Sequence, residues 1–174
     1  MKSEELFIVI CCAVLLLAGC THTAPQRPSQ RKGASPQADT TALAMMELNQ
    51  QLAQAADDRL LRLAQAQPEP YALYERGVWA YVEEQGDMDR SVRAGEECTV
   101  RMTVYSLSGE RYTDSEITAC VGKYELPAAL DDNMPEWHHG ARVRMFAPWY
   151  AAYGIKGEGA IPPYENVIIE LEIK

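Results

Sequence analysis

The sequence has few basic residues and no cluster of them. It contains 16 Lys and Arg against 25 Asp and Glu, which gives a formal net charge of −9 at pH 7 over 174 residues. Surfaces that bind nucleic acid need concentrated positive charge. The composition therefore argues against nucleic acid as a partner.

The patterns of nucleophilic and metal chemistry are also absent from the sequence. It contains no Gly-x-Ser-x-Gly and no His-Glu-x-x-His. Glu136, His138 and His139 form the only metal-like group, but adjacent histidines on a helix point about 100° apart and face one ion poorly. We interpret this group as a solvated helix end, and we expect neither a metal nor another cofactor.

Cysteine is scarce in the region predicted to fold. Of the five cysteines, Cys11, Cys12 and Cys20 lie near the N-terminus, and Cys98 and Cys120 lie in apolar, strand-like stretches. An oxidising compartment would permit a disulfide between the last two. We favour small buried hydrophobic residues instead.

The only long apolar run extends from Leu6 to Leu17, after Lys2. It is too short to span a membrane comfortably as a permanent helix and is typical of a signal-peptide core. Its end, Leu17-Ala18-Gly19-Cys20, resembles the bacterial lipobox, in which the cysteine carries lipid. This resemblance implies a signal peptide over residues 1–19, a lipid anchor at Cys20, and a protein held on a membrane of the bacterial cell envelope, outside the cytoplasm.

Two segments precede the main domain. Residues 20–40 are rich in Pro, Ser, Thr and Gln and are interpreted as a flexible tether. Within residues 41–70, apolar side chains recur at three- and four-residue spacing up to the Gln-Pro-Glu-Pro of residues 67–70, which predicts an amphipathic helix. They are Leu48, Leu52, Ala55, Ala56, Leu60 and Leu63. The helix either docks on the domain or mediates dimerisation through residues 41–67.

Residues 71–174 are predicted to form an α+β domain. Strands are expected over about 77–85, 96–107, 141–147 and 165–174, with a return strand after Gly109 and one short helix over 127–140 that ends at Gly140. The second strand alternates most clearly, because Cys98, Val100, Met102 and Val104 alternate with Thr99, Arg101, Thr103 and Tyr105.

Four collinear motifs between Arg93 and Lys174 resemble the FKBP-type peptidyl-prolyl isomerase domain. They are AGEECTVRMTVYSLSGERYTDS, VGKYELPAALDDNMPEWHHGARVRMFAP, PWYAAYG and AIPPYENVIIELEI. The resemblance implies an antiparallel sheet wrapped around one short helix, and a loop that overhangs an apolar pocket for a substrate proline. Proline-containing polypeptides would be the substrates.

Such a pocket could catalyse isomerisation without any nucleophile. Rotation about an X-Pro bond has a barrier of about 18–20 kcal/mol from amide resonance. An apolar pocket that binds the twisted amide better than the planar one lowers this barrier by differential binding.

The resemblance also assigns site residues. It implies that the Tyr153 hydroxyl binds the peptide, that Ile161 lines the pocket and points its backbone N–H inward, and that the Leu126 backbone bonds substrate. Other wall positions are Tyr112, Ile117, Pro127 and Ile169. Three residues depart from the family pattern: Leu130 replaces a tryptophan, Thr113 an aspartate and Met102 a tyrosine. These departures favour an alternative, a binding or chaperone module of an envelope complex that has lost catalytic efficiency.

Overall fold

The computed structural model describes residues 36–174, with side chains from residue 40 onward. Leu43–Lys174 form one compact unit, and Pro36–Ala42 are assigned to a separate one. The predicted signal peptide, the lipidated Cys20 and the tether up to residue 35 lie outside the described residues. None of the helices in the described range is long and apolar enough to cross a membrane.

The fold is α+β, as predicted, and is built on one antiparallel sheet with the strand order β1-β2-β5-β6-β3-β4. The sheet has six strands rather than about five. In chain order the elements are helix α1 (Pro36–Gln65), β1 (Ala72–Leu73), a 3-10 turn (Glu75–Gly77), β2 (Trp79–Glu84), β3 (Glu97–Ser106), β4 (Arg111–Cys120), helix α2 (Ala128–Asp131), a second 3-10 turn (Met134–Glu136), β5 (Arg142–Ala147) and β6 (Val167–Ile173).

The inner face of the sheet carries the main core. The alternation predicted for β3 is confirmed, because Cys98, Val100, Met102 and Val104 are all buried while the residues between them are not. In the sheet centre Val104 lies opposite Ile169, which lies opposite Met145 on β5. Period-two apolar patterning therefore places one face of each strand in a shared interior.

The two cysteines of the domain are free, as expected. Cys98 lies opposite Ala119, and Cys120 lies opposite Glu97. Because neighbouring positions on a strand point to opposite faces, the two thiols lie on different sides of the sheet. Burial raises the pKa of the Cys98 thiol, in keeping with its interpretation as a small hydrophobic residue.

The outer face of the sheet receives the C-terminal half of α1. Leu60 and Ala64 are buried there against Phe146 and Ile168. The Tyr150 hydroxyl also donates a 2.5 Å hydrogen bond to Asp57 Oδ1. The prediction that the helix docks on the domain is therefore confirmed for its C-terminal half.

The apolar stripe predicted for α1 is wrong in its first half. Leu48 and Leu52 are exposed, as is Ala55. The physical reason is length, since a 30-residue helix extends about 45 Å and strands of at most ten residues span about 33 Å. Dimerisation through residues 41–67 stays a prediction, which the sedimentation mass of the purified chain would test. The buried side chains in the second half of the stripe already pack against the sheet of the same chain.

The helix predicted over residues 127–140 is also wrong in extent. The structure has the single turn α2 and the separate 3-10 turn at Met134–Glu136. Pro135 supplies no backbone N–H, and the Asn133 side chain donates from Nδ2 to the Ala129 carbonyl at 2.8 Å. The α-helical hydrogen-bond ladder therefore ends at this point.

His139 is not part of a solvated helix end. It is buried, with Nδ1 2.7 Å from the Lys174 carbonyl oxygen and Nε2 2.8 Å from Glu96 Oε1. Both of its partners are acceptors. His139 therefore ties the end of β6 to the start of β3, and its role in the structure is packing and hydrogen bonding.

Candidate functional site

A cavity of about 460 Å³ opens on the inner side of the sheet, within the usual size range of ligand sites. Its walls come from β3, β4, the segment before α2 and the loop between β5 and β6. The lining residues are Met102, Tyr112, Thr113, Ser115, Ile117, Tyr124, Glu125, Leu126, Pro127, Ala152, Tyr153, Glu158, Gly159, Ala160 and Ile161.

A β-bulge on β4 shapes one wall of the cavity. Val104 pairs with Thr113, but the next residue, Tyr105, pairs with Arg111, so Tyr112 is an extra residue on β4. A bulge interrupts the alternation of side chains and re-aims those beside it. The adjacent residues Tyr112 and Thr113 can therefore both line the cavity.

A buried carboxylate holds the second wall. Asp131, 2% exposed, accepts hydrogen bonds from the backbone N–H groups of Gly122 at 3.0 Å and Tyr124 at 2.7 Å. Tyr124 has a φ of 55°, in the left-handed region that non-glycine residues seldom adopt. The two hydrogen bonds hold this turn, which presents the 59% exposed Tyr124 ring at the edge of the cavity.

The 3-10 turn before β2 supports the same wall. The Glu75 backbone N–H donates to Asn133 Oδ1 at 3.0 Å. The next residue, Arg76, forms an ion pair with Asp132 and places its guanidinium carbon 5.9 Å from the centroid of the Tyr124 ring. A segment far from the cavity in sequence therefore contacts the Tyr124 side chain.

The third wall is the overhanging β5–β6 loop. The Glu158 N–H donates to the Ile161 carbonyl at 3.0 Å, and the Ile161 N–H donates to the Glu158 carbonyl at 2.8 Å. Gly157, with a φ of 68°, lies directly against this turn, because a Cβ there would clash with the Ile161 carbonyl oxygen and the Pro162 backbone. The glycine permits both the backbone conformation and the close approach.

Tyr153 joins the loop to the sheet. Its half-buried hydroxyl lies 3.9 Å from Met102 Sδ, a weak contact that leaves most of its donor strength available. Burial, with a smaller effect from the Glu158 carboxylate, raises the pKa of Tyr153 to about 12. The hydroxyl therefore stays protonated at neutral pH and can donate a hydrogen bond into the cavity.

Eight of the ten residues assigned to catalysis or to the pocket line this single cavity. They are Met102, Tyr112, Thr113, Ile117, Leu126, Pro127, Tyr153 and Ile161. Leu130 and Ile169 do not line it, since both have no exposed surface and belong to the core. Ile169 is held in the sheet centre between Val104 and Met145.

One predicted backbone role differs in the structure. The Ile161 N–H is occupied by the bond to Glu158 described above, so it does not point freely into the cavity. The Leu126 carbonyl, by contrast, accepts no backbone hydrogen bond from any residue in the described part of the chain. The role of the Leu126 backbone in binding substrate therefore stays a prediction.

Sequence reasoning missed several lining residues, among them Ser115, Tyr124, Glu125 and Glu158. Alternation with Thr113 and Ile117 could have identified Ser115. No sequence signal identifies Tyr124, because its position depends on the distant Asp131 carboxylate.

The fold is similar to that of a solved peptidyl-prolyl cis-trans isomerase from Pseudomonas syringae pv. tomato. The superposition has a TM-score of 0.59 and 19% sequence identity, and it covers 71% of this chain and 92% of the other. No protein-family model and no curated protein matches the sequence. At this identity the similarity establishes the fold, and the activity has to be argued from the site.

Proposed function

We propose that the chain is a peptidyl-prolyl cis-trans isomerase of the FKBP type that assists folding of proteins outside the cytoplasm. A lipid on Cys20 would hold it on a membrane of the bacterial envelope, as the lipobox-like sequence implies. At the family level, isomerase activity is supported by the similar fold of the Pseudomonas isomerase. The observation that carries the proposal is one open cavity that collects Tyr153, Ile161 and Leu126.

The chemistry follows from the walls of the cavity. Met102, Leu126 and Ile161 contribute apolar side chains to the lining of the cavity, so a proline ring placed against them leaves water. The twisted amide has lost its resonance and is less dipolar than the planar one. An apolar site consequently favours the twisted amide, and the substrate carbonyl or flanking peptide can accept a hydrogen bond from the Tyr153 hydroxyl.

The test compares the purified full-length chain with its Tyr153→Phe variant in cis–trans exchange of X-Pro peptides. Loss of one hydrogen bond in the transition state is worth about 0.5–1.5 kcal/mol, so we expect kcat/KM to fall about threefold to tenfold. Tyr81→Phe is the matched control, because Tyr81 lies on β2 outside the cavity lining. Equal losses in the two variants would contradict the role of Tyr153.

The second candidate is a non-catalytic binding or chaperone module. It is favoured by the occupied Ile161 N–H and by Thr113, Met102 and Leu130, which depart from the residues that the family resemblance leads one to expect. A wild-type exchange rate equal to the uncatalysed rate, with peptides still bound, would establish this candidate instead.

A further inference from the structure

Among residues 36–174, those that line the cavity include acidic side chains and no Lys or Arg. The acidic ones are Glu125 and Glu158. Neither carboxylate forms an ion pair with any residue in the described part of the chain. A ligand in this cavity therefore meets two carboxylates that no cation of the described residues neutralises.

The backbone around Glu158 is held in place by hydrogen bonds. Its N–H and carbonyl both bond to Ile161, which closes the overhanging turn. Gly157, the residue before Glu158, donates its N–H to the Tyr153 carbonyl at 3.2 Å. Glu158 and Tyr153 both line the cavity, and the Glu158 charge also helps to raise the pKa of Tyr153.

Glu125 lies on a different wall of the cavity, in the segment before α2. Its Oε2 accepts a 2.9 Å hydrogen bond from the Cys120 N–H. The preceding residue, Tyr124, also lines the cavity, and tyrosine rings attract cations. The Arg76 guanidinium, 5.9 Å from the centroid of this ring, is already paired with Asp132.

We propose that Glu125 and Glu158 give this site a preference for substrates with a lysine or arginine next to the proline. The inference rests on the proposed prolyl isomerase function and names its substrate class. A basic side chain adjacent to a proline in the cavity meets the exposed carboxylates of two different walls and the exposed Tyr124 ring. An acidic side chain in the same place is repelled.

The experiment uses acetylated tetrapeptides that differ only in the residue before proline, which is Leu, Lys or Glu, and a second set varied after proline. Magnetisation-exchange NMR measures their isomerisation without a coupled protease. For at least one set we expect kcat/KM to be about threefold to tenfold higher with Lys than with Glu, as one or two half-exposed ion pairs provide. The ratio should fall as salt is raised, because solvent-exposed charges are screened.

The combined variant Glu125→Gln and Glu158→Gln should bring the Lys-to-Glu ratio close to one. Glu136→Gln, which removes an exposed carboxylate outside the cavity, should leave the ratio as in the wild type. Equal rates with Lys and Glu peptides in the wild type, or a ratio that persists in the combined variant, would overturn the inference.

The proposed function can fail separately. If even the Leu peptide is not turned over, the isomerase assignment is wrong. The dissociation constants of the Lys and Glu peptides, measured by NMR titration, then test the charge preference by themselves. A ratio favouring Lys that is lost in the combined variant would support it. Absence of binding by every peptide would overturn both proposals.

Discussion

At the scale of single residues, Gly157 shows how one backbone position determines the shape of the cavity. Gly154 and Gly157 have nearly equal φ values, 67° and 68°, in the same loop. They differ in their surroundings, since a Cβ at Gly154 meets nothing within 4 Å, whereas one at Gly157 clashes with the backbone of Ile161 and Pro162. Substituting each glycine by alanine therefore distinguishes two effects. At Gly154 only the left-handed conformation is disfavoured, whereas at Gly157 the overhanging loop must also be displaced.

We predict that Gly157→Ala lowers kcat/KM about tenfold to a hundredfold, because a displacement of about 1 Å in a binding wall can have effects of this size. Gly154→Ala should destabilise the fold by about 1–2 kcal/mol, the cost of a left-handed L-residue, with little change in kcat/KM. Thermal unfolding and peptide exchange, measured on both variants, provide the check. Equal kcat/KM for the two variants would show that the close approach is unimportant.

Residues of the candidate site could be predicted from the sequence only where a local motif determines their position in the fold. Motif order led to Tyr153, Leu126 and Ile161, and all three line the cavity. The hydrogen bond that occupies the Ile161 N–H arises from the fold of a four-residue turn. Likewise, the Tyr112 bulge results from a register shift between β3 and β4, which a strand's own residues do not reveal.

At the scale of elements, α1 and the cavity lie on opposite faces of the sheet. Leu60 has no exposed surface and packs in the outer cluster with Phe146. Met102, a cavity residue, belongs to the inner core. Stability and substrate binding can consequently be altered separately.

We predict that Leu60→Ala lowers the free energy of unfolding by about 2–5 kcal/mol, as expected when a fully buried leucine leaves a cavity. Leu48→Ala, on the same helix but 47% exposed, should change it by less than about 0.5 kcal/mol. Urea denaturation followed by circular dichroism measures both values. In the absence of urea, kcat/KM of the Leu60 variant should match that of the wild type. Equal losses of unfolding free energy in the Leu60 and Leu48 variants would contradict the packing described for α1.

Helices and strands could be predicted from the sequence where a periodic apolar face packs against another element. The alternation in β3 located both the strand and its buried face. The stripe on α1 indicated a helix correctly but could not show that only its second half meets the sheet, because length and docking position are properties of the assembled domain. The short α2 likewise depends on Asn133, whose side chain bonds across to the Glu75 backbone.

At the scale of the whole molecule, hydrogen bonds to carboxylates join residues that are separated by 13 to 58 positions in the sequence. Glu96 at the start of β3 bonds His139, Asp114 on β4 bonds Arg101, and Glu116 on β4 bonds the C-terminal Lys174. In each case the side-chain hydrogen bond is the main cause of a lowered carboxyl pKa. Each of these carboxyl groups therefore stabilises the folded chain slightly more when it is ionised than when it is protonated.

The direction of the pH dependence follows from these lowered pKa values. A carboxyl group with a lower pKa in the folded than in the unfolded chain contributes stability above its unfolded pKa, which is 4.5 for Glu96. This contribution is lost as the pH falls through the folded value. We predict that the melting temperature falls below about pH 4.5 as these groups become protonated.

Glu96→Gln isolates one of the three contributions. The melting temperature of the variant should lie below that of the wild type at pH 7, and the difference should close as the pH falls below 4.5 and Glu96 itself becomes protonated. Circular dichroism melts from pH 7 to pH 3 measure the difference, with Glu136→Gln as a control that removes an exposed carboxylate outside any ion pair of the described residues. A difference that stays constant across this range would show that the link between β3 and the end of β6 does not contribute through the charge of Glu96.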